Sequence, residues 1–411
     1  MEDAGGFLMR FHQVISGLKV ARGITHGRRA FTGPVQVNFN ITNRCNIRCV
    51  HCYFYSPHIV KPNMIELRKS RLLNQAEPDL QYLRDLQKLE ADREKTLSII
   101  ERLGSMGTYR FQFGGNGEPF SHSHIMDFLA AAKDQGGFCV VNTNGTLLSP
   151  TKIDRLIGLE VDHLRITTMA GKADSYVMTH PGCKESVFEK ITENLLYLAE
   201  RKRCLKKKKP KITMVCVIIG PNSDKLYEFA QFAGKVKAES VVFHLFNDVD
   251  DPQFAALIPN MKQTETAKKQ LAESKRYLDM SGINHNISNA LRVFHRQLET
   301  GGLYQIIPCY LGWLAVRLDL DGSVYPCCRC YGSLGNAYEQ DFMEIWNSDL
   351  YSQWRETAYK INLNQRPLNG CACNTCVHHN LNTRVFRLFH PIKGRSLEFK
   401  KLCPVTCGQT D

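Results

Sequence analysis

Six short runs with strand character recur between residues 35 and 250, each separated from the next by a stretch of helical periodicity. In the first, Val35, Val37, Phe39 and Ile41 alternate with Gln36, Asn38 and Asn40, which gives one apolar and one polar face. Tyr109–Phe113, Phe138–Asn142, His163–Thr168, Ile212–Ile218 and Ser240–Leu245 follow. Between them, Leu97, Ile100 and Leu103 repeat at helical spacing. Ser149 and Pro150 form an N-cap and first turn ahead of Ile153, Leu156 and Ile157, and Val187, Ile191, Leu195 and Leu198 mark another helix. Ser223 is expected to cap a helix carrying Leu226, Phe229 and Ala233. Strands alternating with helices imply parallel βαβ units, hence an α/β fold built on an open or closed barrel with functional loops at the C-terminal strand ends.

The remaining sequence is arranged around that unit. Pro57–Ala91 is longer than a βα connection needs and has its own Leu-rich, charged character, so it is read as an insertion able to form a lid. Residues 1–34 form a helical lead-in, 251–304 a helical connector and 381–411 a tail. From Cys309 the composition changes, because nine of the sixteen cysteines lie between Cys309 and Cys407. That points to a small domain organised by metal rather than by a large core.

A composition of 43% hydrophobic and 23% charged residues is ordinary for a globular protein and sets disorder and fibrous repeats aside. Mean hydropathy of -0.29 and the lack of a long uninterrupted apolar run argue against a transmembrane helix, and the N-terminal residues hold no long apolar segment before a cleavage site. The expected compartment is the cytoplasm. There thiols stay reduced, so structural disulfides cannot account for sixteen cysteines, and metal or cluster ligation is the leading explanation. The net charge of +13 should attract nucleic acid, anionic substrates or an acidic protein. The basic run Arg201–Arg203 and Lys206–Lys209 has no interleaved aromatic residue, so a solvated helix end is favoured over a nucleic-acid site.

Cys45, Cys49 and Cys52 follow the first strand directly. Zinc sites usually take four protein ligands and a 4Fe-4S cluster is normally held by four thiolates, so three close cysteines leave one iron free to bind something else. This segment resembles the CxxxCxxC motif of the radical S-adenosylmethionine (radical SAM) superfamily, with His51 where the family usually carries an aromatic residue. The resemblance implies a partial (β/α)6 TIM-like barrel over residues 35–250, a 4Fe-4S cluster on the three cysteines and SAM at its open iron. Gly114, Gly115, Asn116, Gly117, Glu118 and Pro119 resemble the GGEP segment that grips the SAM amino group, with Asn116 interrupting the commonest form. Glycine there lets backbone carbonyls approach an ammonium group. By the same resemblance Thr143-Asn144-Gly145 is the TNG segment, Thr167 and Thr168 face the SAM ribose or carboxylate, and Ile218 and Ile219 pack on adenine.

Cys309, then Gly322 after twelve intervening residues and Cys327 after four more, resemble the opening of the SPASM and Twitch auxiliary-cluster domains, over about residues 305–380. Asp321-Gly322 supplies the hairpin turn. Cys373 and Cys376 then complete four thiolates for an auxiliary 4Fe-4S cluster. Cys328, Cys330, Cys371, Cys403 and Cys407 are left as spare thiols or ligands of a second site, and Cys139, Cys183, Cys204 and Cys216 read as small buried hydrophobes. His122, His124, His378 and His379 are surface or supporting groups, and no catalytic acid or base is singled out.

The resemblance implies reductive cleavage of SAM and hydrogen abstraction from an unactivated C–H bond. The auxiliary cluster suggests oxidation or epimerisation, and the short lead-in favours a small hydroxylated or aminated substrate over a peptide maturase. A flavodoxin or ferredoxin-like electron donor suits the basic surface, with neither membrane nor nucleic acid as partner. An alternative of another class, a zinc-ribbon nucleic-acid binder on Cys373, Cys376, Cys403 and Cys407, leaves the first triad unexplained.

Overall fold

The computed structural model describes residues 16–59, 80–246, 252–296, 303–364, 366–373, 376 and 378–390. All six expected strands form: β1 (Gln36–Phe39), β2 (Arg110–Phe113), β3 (Phe138–Thr143), β4 (His163–Thr167), β5 (Lys211–Ile218) and β6 (Ser240–Leu245). Three more join them: β7 (Asn284–His285), β8 (Ala315–Leu318) and β9 (Val324–Tyr325). The nine strands make one sheet in the order β7-β6-β5-β4-β3-β2-β1-β8-β9, parallel throughout except for the β8–β9 hairpin. Its ends do not meet, so the barrel is open.

The sheet reaches further than the sequence reading expected at both edges. The helical connector contains Met261–Met280 and Ile287–Arg296 but also β7, which pairs with β6 through Ser240 and Val241. A two-residue strand carries too little alternation to be seen in sequence. At the other edge β8, from the cysteine-rich region, pairs in parallel with β1 from Gln36 opposite Ala315 to Phe39 opposite Leu318.

One face of the sheet is the main core. Leu164, Ile166, Ile212, Met214, Cys216 and Ile218 are buried there against Leu156, Ile191, Leu195 and Phe229 of the covering helices. The Ser149 hydroxyl caps Pro150–Gly158, accepting from the Lys152 amide at 3.3 Å. Ser223 is not an N-cap. It closes the short 3-10 turn Gly220–Asn222 by donating to the Gly220 carbonyl at 2.8 Å, and the helix starts later, at Leu226.

The basic run is largely neutralised: Arg201 pairs with Asp154, Lys202 with Glu239, Arg203 with Glu200, Lys207 with Glu160 and Lys209 with Asp162. Cys139 and Cys216 are fully buried, whereas Cys204 ends its helix exposed, 3.2 Å from a Glu200 carboxylate oxygen. No helix among the described residues is long and apolar enough to cross a membrane. Most of the expected lid, and both Cys403 and Cys407, fall outside the described residues.

Candidate functional site

The C-terminal ends of β1 to β6 surround a cavity of about 410 Å³. Cys45, Cys49 and Cys52 line it, all half-buried and none in a disulfide. Their loop is fixed by its own polar groups: the Tyr55 hydroxyl donates to the Asn43 carbonyl at 2.8 Å and accepts from the Cys45 amide at 3.1 Å. Ser56 donates to the Val50 carbonyl at 2.5 Å. Beyond the undescribed stretch, Leu83 and Leu86 pack on Phe54.

Gly115, Asn116, Gly117 and Glu118 face the triad across the cavity. A Cβ at Gly117 would lie 2.4 Å from the Arg44 carbonyl oxygen, and one at Gly115 would lie 2.6 Å from Asn40 Oδ1, so this loop closes on the cysteine loop only without side chains. Asn116, which departs from the family pattern, donates its side-chain amide to Asn43 Oδ1 at 3.1 Å and so ties the two loops together.

Glu118 is buried, and its carboxylate accepts from the Phe120 amide at 3.1 Å, the Thr143 hydroxyl at 2.7 Å and the Asn144 amide at 2.7 Å. Burial pushes its pKa up, and these hydrogen bonds act against that. The bound segment places Asn144 Nδ2 3.8 Å from Cys45 Sγ and 3.1 Å from Asn46 Oδ1. Asn144 and Thr167 both line the cavity.

Five residues expected to touch cofactor lie outside that lining. Gly114 and Pro119 flank it, with Pro119 buried at the start of a 3-10 turn. Thr168 is fully buried and donates to the Ala170 carbonyl at 3.1 Å. Ile218 points into the main core, and its neighbour Val217 faces the cavity instead. Ile219 packs with Val50, Met169 and Phe246. Sequence reasoning also passed over Phe246 and Arg329, which line the cavity.

The triad's electrostatics suit a cation. Burial, with Glu118 and Cys52 nearby, pushes the Cys45 thiol up to about 11, and burial followed by the repulsion of Cys52 and Cys45 raises Cys49 well above the ordinary range. Three thiolates cannot share such a place without positive charge between them. This donor set and the loop opposite, opened by Gly115 and Gly117, fit an iron-sulfur cluster with SAM.

A second group of cysteines lies in the C-terminal region. Cys309, Cys327, Cys373 and Cys376 line one small pocket with His378 and Asn382. Asn382 Nδ2 stands 3.9 Å from Cys309 Sγ. Burial raises Cys309 to about 12 and Cys376 to about 11. Cys328 lies 3.3 Å from His378 Nε2, and the donor atoms of Cys327, Cys328 and His378 all fall within 4.8 Å of one another. Cys330 and Cys371 form a disulfide at the rim of this pocket. His122, expected near the surface, is buried, with Nε2 3.1 Å from the Ala91 carbonyl oxygen.

Family comparison decides what the two cysteine groups belong to. The radical SAM superfamily matches residues 39–233, and the SPASM iron-sulfur cluster-binding domain matches residues 309–377. The chain is a radical SAM enzyme with a SPASM domain. The enzyme therefore works with SAM, a 4Fe-4S cluster and an auxiliary iron-sulfur cluster, and Cys373 and Cys376 fall within the iron-sulfur domain rather than a zinc ribbon.

Among similar proteins, the Fe-coproporphyrin III synthase of Methanosarcina barkeri is 27% identical over 37% of this chain, a match spanning 34% of that relative. The PqqA peptide cyclase of Ruegeria pomeroyi is 23% identical over 83% of each chain. Streptococcus suis SuiB bound to S-adenosylmethionine superposes with a TM-score of 0.57 at 14% identity, covering 85% of this chain and 74% of SuiB. SuiB bound to its precursor peptide SuiA gives 0.56 at 13% identity, over 86% and 78%. The structural likeness shows the shared fold.

Proposed function

We propose that this radical SAM enzyme modifies a peptide or protein substrate. The carrying observation is that the fold is shared over 86% of this chain with an enzyme solved with its precursor peptide, and that a likeness to a peptide cyclase runs over 83% of both chains; an AdoMet-dependent heme synthase of Methanosarcina barkeri matches over 79% of this chain. The fold shared with a peptide-binding enzyme and the open edge of the sheet are consistent with an extended chain reaching the cavity. This reading replaces the expectation of a small hydroxylated or aminated substrate.

In this account Cys45, Cys49 and Cys52 hold the first cluster as thiolates, and Gly115 and Gly117 bring backbone close to the SAM amino group. Glu118 holds Asn144 and Thr143 in place, and Thr167 and Val217 shape the floor of the cavity. Bound and reduced, the cluster with SAM supplies a 5'-deoxyadenosyl radical that takes hydrogen from a C–H bond. Tyr53, Phe54 and Phe246 line the same space with apolar surface and keep water from it. Cys309, Cys327, Cys373 and Cys376 are proposed to hold the auxiliary cluster, which suits oxidation of the substrate. An acidic flavodoxin or ferredoxin-like protein is the proposed electron donor.

A specific observation favours a second reading, a porphyrin-type substrate, because the Fe-coproporphyrin III synthase is among the similar proteins. The two are separated by label transfer. Reduced, reconstituted enzyme is incubated with SAM and either a library of short peptides built from deuterated amino acids or deuterated coproporphyrin. Deuterium entering 5'-deoxyadenosine from the peptides alone supports the proposal, and entry from the porphyrin alone refutes it.

A further inference from the structure

We propose that the concave face of the sheet, directly beneath the cysteine-lined cavity, binds a carboxylate of the substrate, with Arg165 as its anchoring cation. The proposal deepens the reading just given, and relies on it only for what carries the carboxylate.

Strand register sets the geometry. Arg165 on β4 stands opposite Asn142 on β3 and Thr213 on β5, and residues opposite one another in a sheet project to the same side. Asn142 lines the cavity, as does Thr167, two residues after Arg165 and on the same side of the strand. Arg165 therefore lies about 7 Å below the cavity floor, at the rise of an extended strand. Arg110 at the start of β2, His163 on β4 and His244, opposite cavity-lining Val217, belong to the same face.

No aspartate or glutamate occupies β1 to β6. Among the described residues, the acidic groups nearby are already engaged: Asp162 by Lys133 and Lys209, Glu239 by Lys202, and Glu118 by its three hydrogen bonds. The Arg165 side chain makes no ion pair or hydrogen bond among the described residues, although it is half-buried. A guanidinium so placed normally has an acidic partner, because desolvating its charge without one is unfavourable. Its field reaches its neighbours: desolvation beside the sheet and then Arg165 lower the pKa of His244, and burial followed by Arg165 and Arg110 lowers that of His163. The charges of this face are Arg165 and Arg110, with Lys211 opposite His163 at the start of β5 and Arg317, opposite Asn38, paired with Asp319. Arg329, carried between Cys328 and Cys330, lines the cavity above. The arrangement suits an acidic side chain or chain terminus held below the reacting C–H bond.

The test uses isothermal titration calorimetry on anaerobic holoenzyme with SAM. The probes are acetyl-Glu-Glu-Glu-amide, its all-glutamine counterpart and free glutarate. The glutamate peptide should bind about tenfold more tightly than the glutamine peptide, as expected for charge-assisted hydrogen bonds. Arg165→Gln should bring the two within about twofold, and Arg165→Lys should restore part of the difference. Iron content and circular dichroism verify that each variant folds. Equal affinity of the two peptides for the wild type, undiminished discrimination in Arg165→Gln, or no binding of any probe overturns the site. Peptides bound without regard to charge defeat the anion site and leave the peptide reading standing. Glutarate bound as tightly as the glutamate peptide, and lost in Arg165→Gln, supports the anion site and counts against the peptide reading.

Discussion

Glu118 shows what a single side chain contributes to this site. A buried carboxylate with no cation bonded to it is destabilising unless donors surround it, and Glu118 has three, two of them from the segment that carries Asn144. Glu118→Gln leaves at least one of those donors unpaired, at about 1–3 kcal/mol, and should weaken SAM binding about tenfold while iron content is kept; calorimetry and iron analysis on the same sample check both. His180 gives a pH dependence. Burial lowers its pKa from 6.5 to about 4, so the folded state resists its protonation. The associated stability, on the order of 3 kcal/mol, is fully present above about pH 6.5 and is lost as pH falls toward 4. Thermal denaturation across that window should show a decline in the wild type that is shallower in His180→Phe. The residue types of the site were legible from the motifs, but which of two neighbours faces the cavity was misjudged at Thr168 and Ile218. Strand alternation held the answer, since Leu164, Ile166 and Ile218 carry the apolar phase while Thr167 and Val217 carry the opposite one.

At the scale of elements, long periodic segments were legible and short ones were not. The six principal strands and the helix capped by Ser149 announce themselves by pattern, whereas β7, only two residues long, is specified by its neighbours. Arg355 in Asp349–Tyr359 is a comparable case, because a lone arginine in a helix gives no sign that it is buried. It is fully buried, donates to the Gly312 carbonyl at 2.8 Å and the Arg28 carbonyl at 3.2 Å, and lies over the rings of Trp346 at 4.4 Å and Tyr351 at 4.5 Å. Three stretches of chain meet on this one guanidinium. Arg355→Ala should cost about 3 kcal/mol or more, and Arg355→Lys should not rescue it, because an ammonium cannot reproduce the planar fork. Chemical denaturation of the holoenzyme measures both.

For the whole molecule, the pairing of β1 with β8 matters most. The strand that leads into Cys45 is hydrogen-bonded on one side to β2 and on the other to a strand of the C-terminal region. Asn40 continues the link, its amide donating to the Leu318 carbonyl at 2.9 Å and its side chain to Asp319 Oδ1 at 2.5 Å. A chain ending at residue 304 would expose β1 as an unpaired edge, and should aggregate or lose the first cluster although all three of its cysteines remain; iron content and light scattering report the outcome. Sequence showed two cysteine-bearing regions but not that they share one sheet, because strand pairing across about 280 residues leaves no local pattern. The central claim, that Cys45, Cys49 and Cys52 make this a SAM-cleaving centre, is tested most directly by 5'-deoxyadenosine. Anaerobically reconstituted and reduced enzyme should release it slowly from SAM without substrate, and Cys45→Ala, Cys49→Ala or Cys52→Ala should each abolish it. No 5'-deoxyadenosine from fully reconstituted wild type, or undiminished release from the triple cysteine variant, would contradict the account.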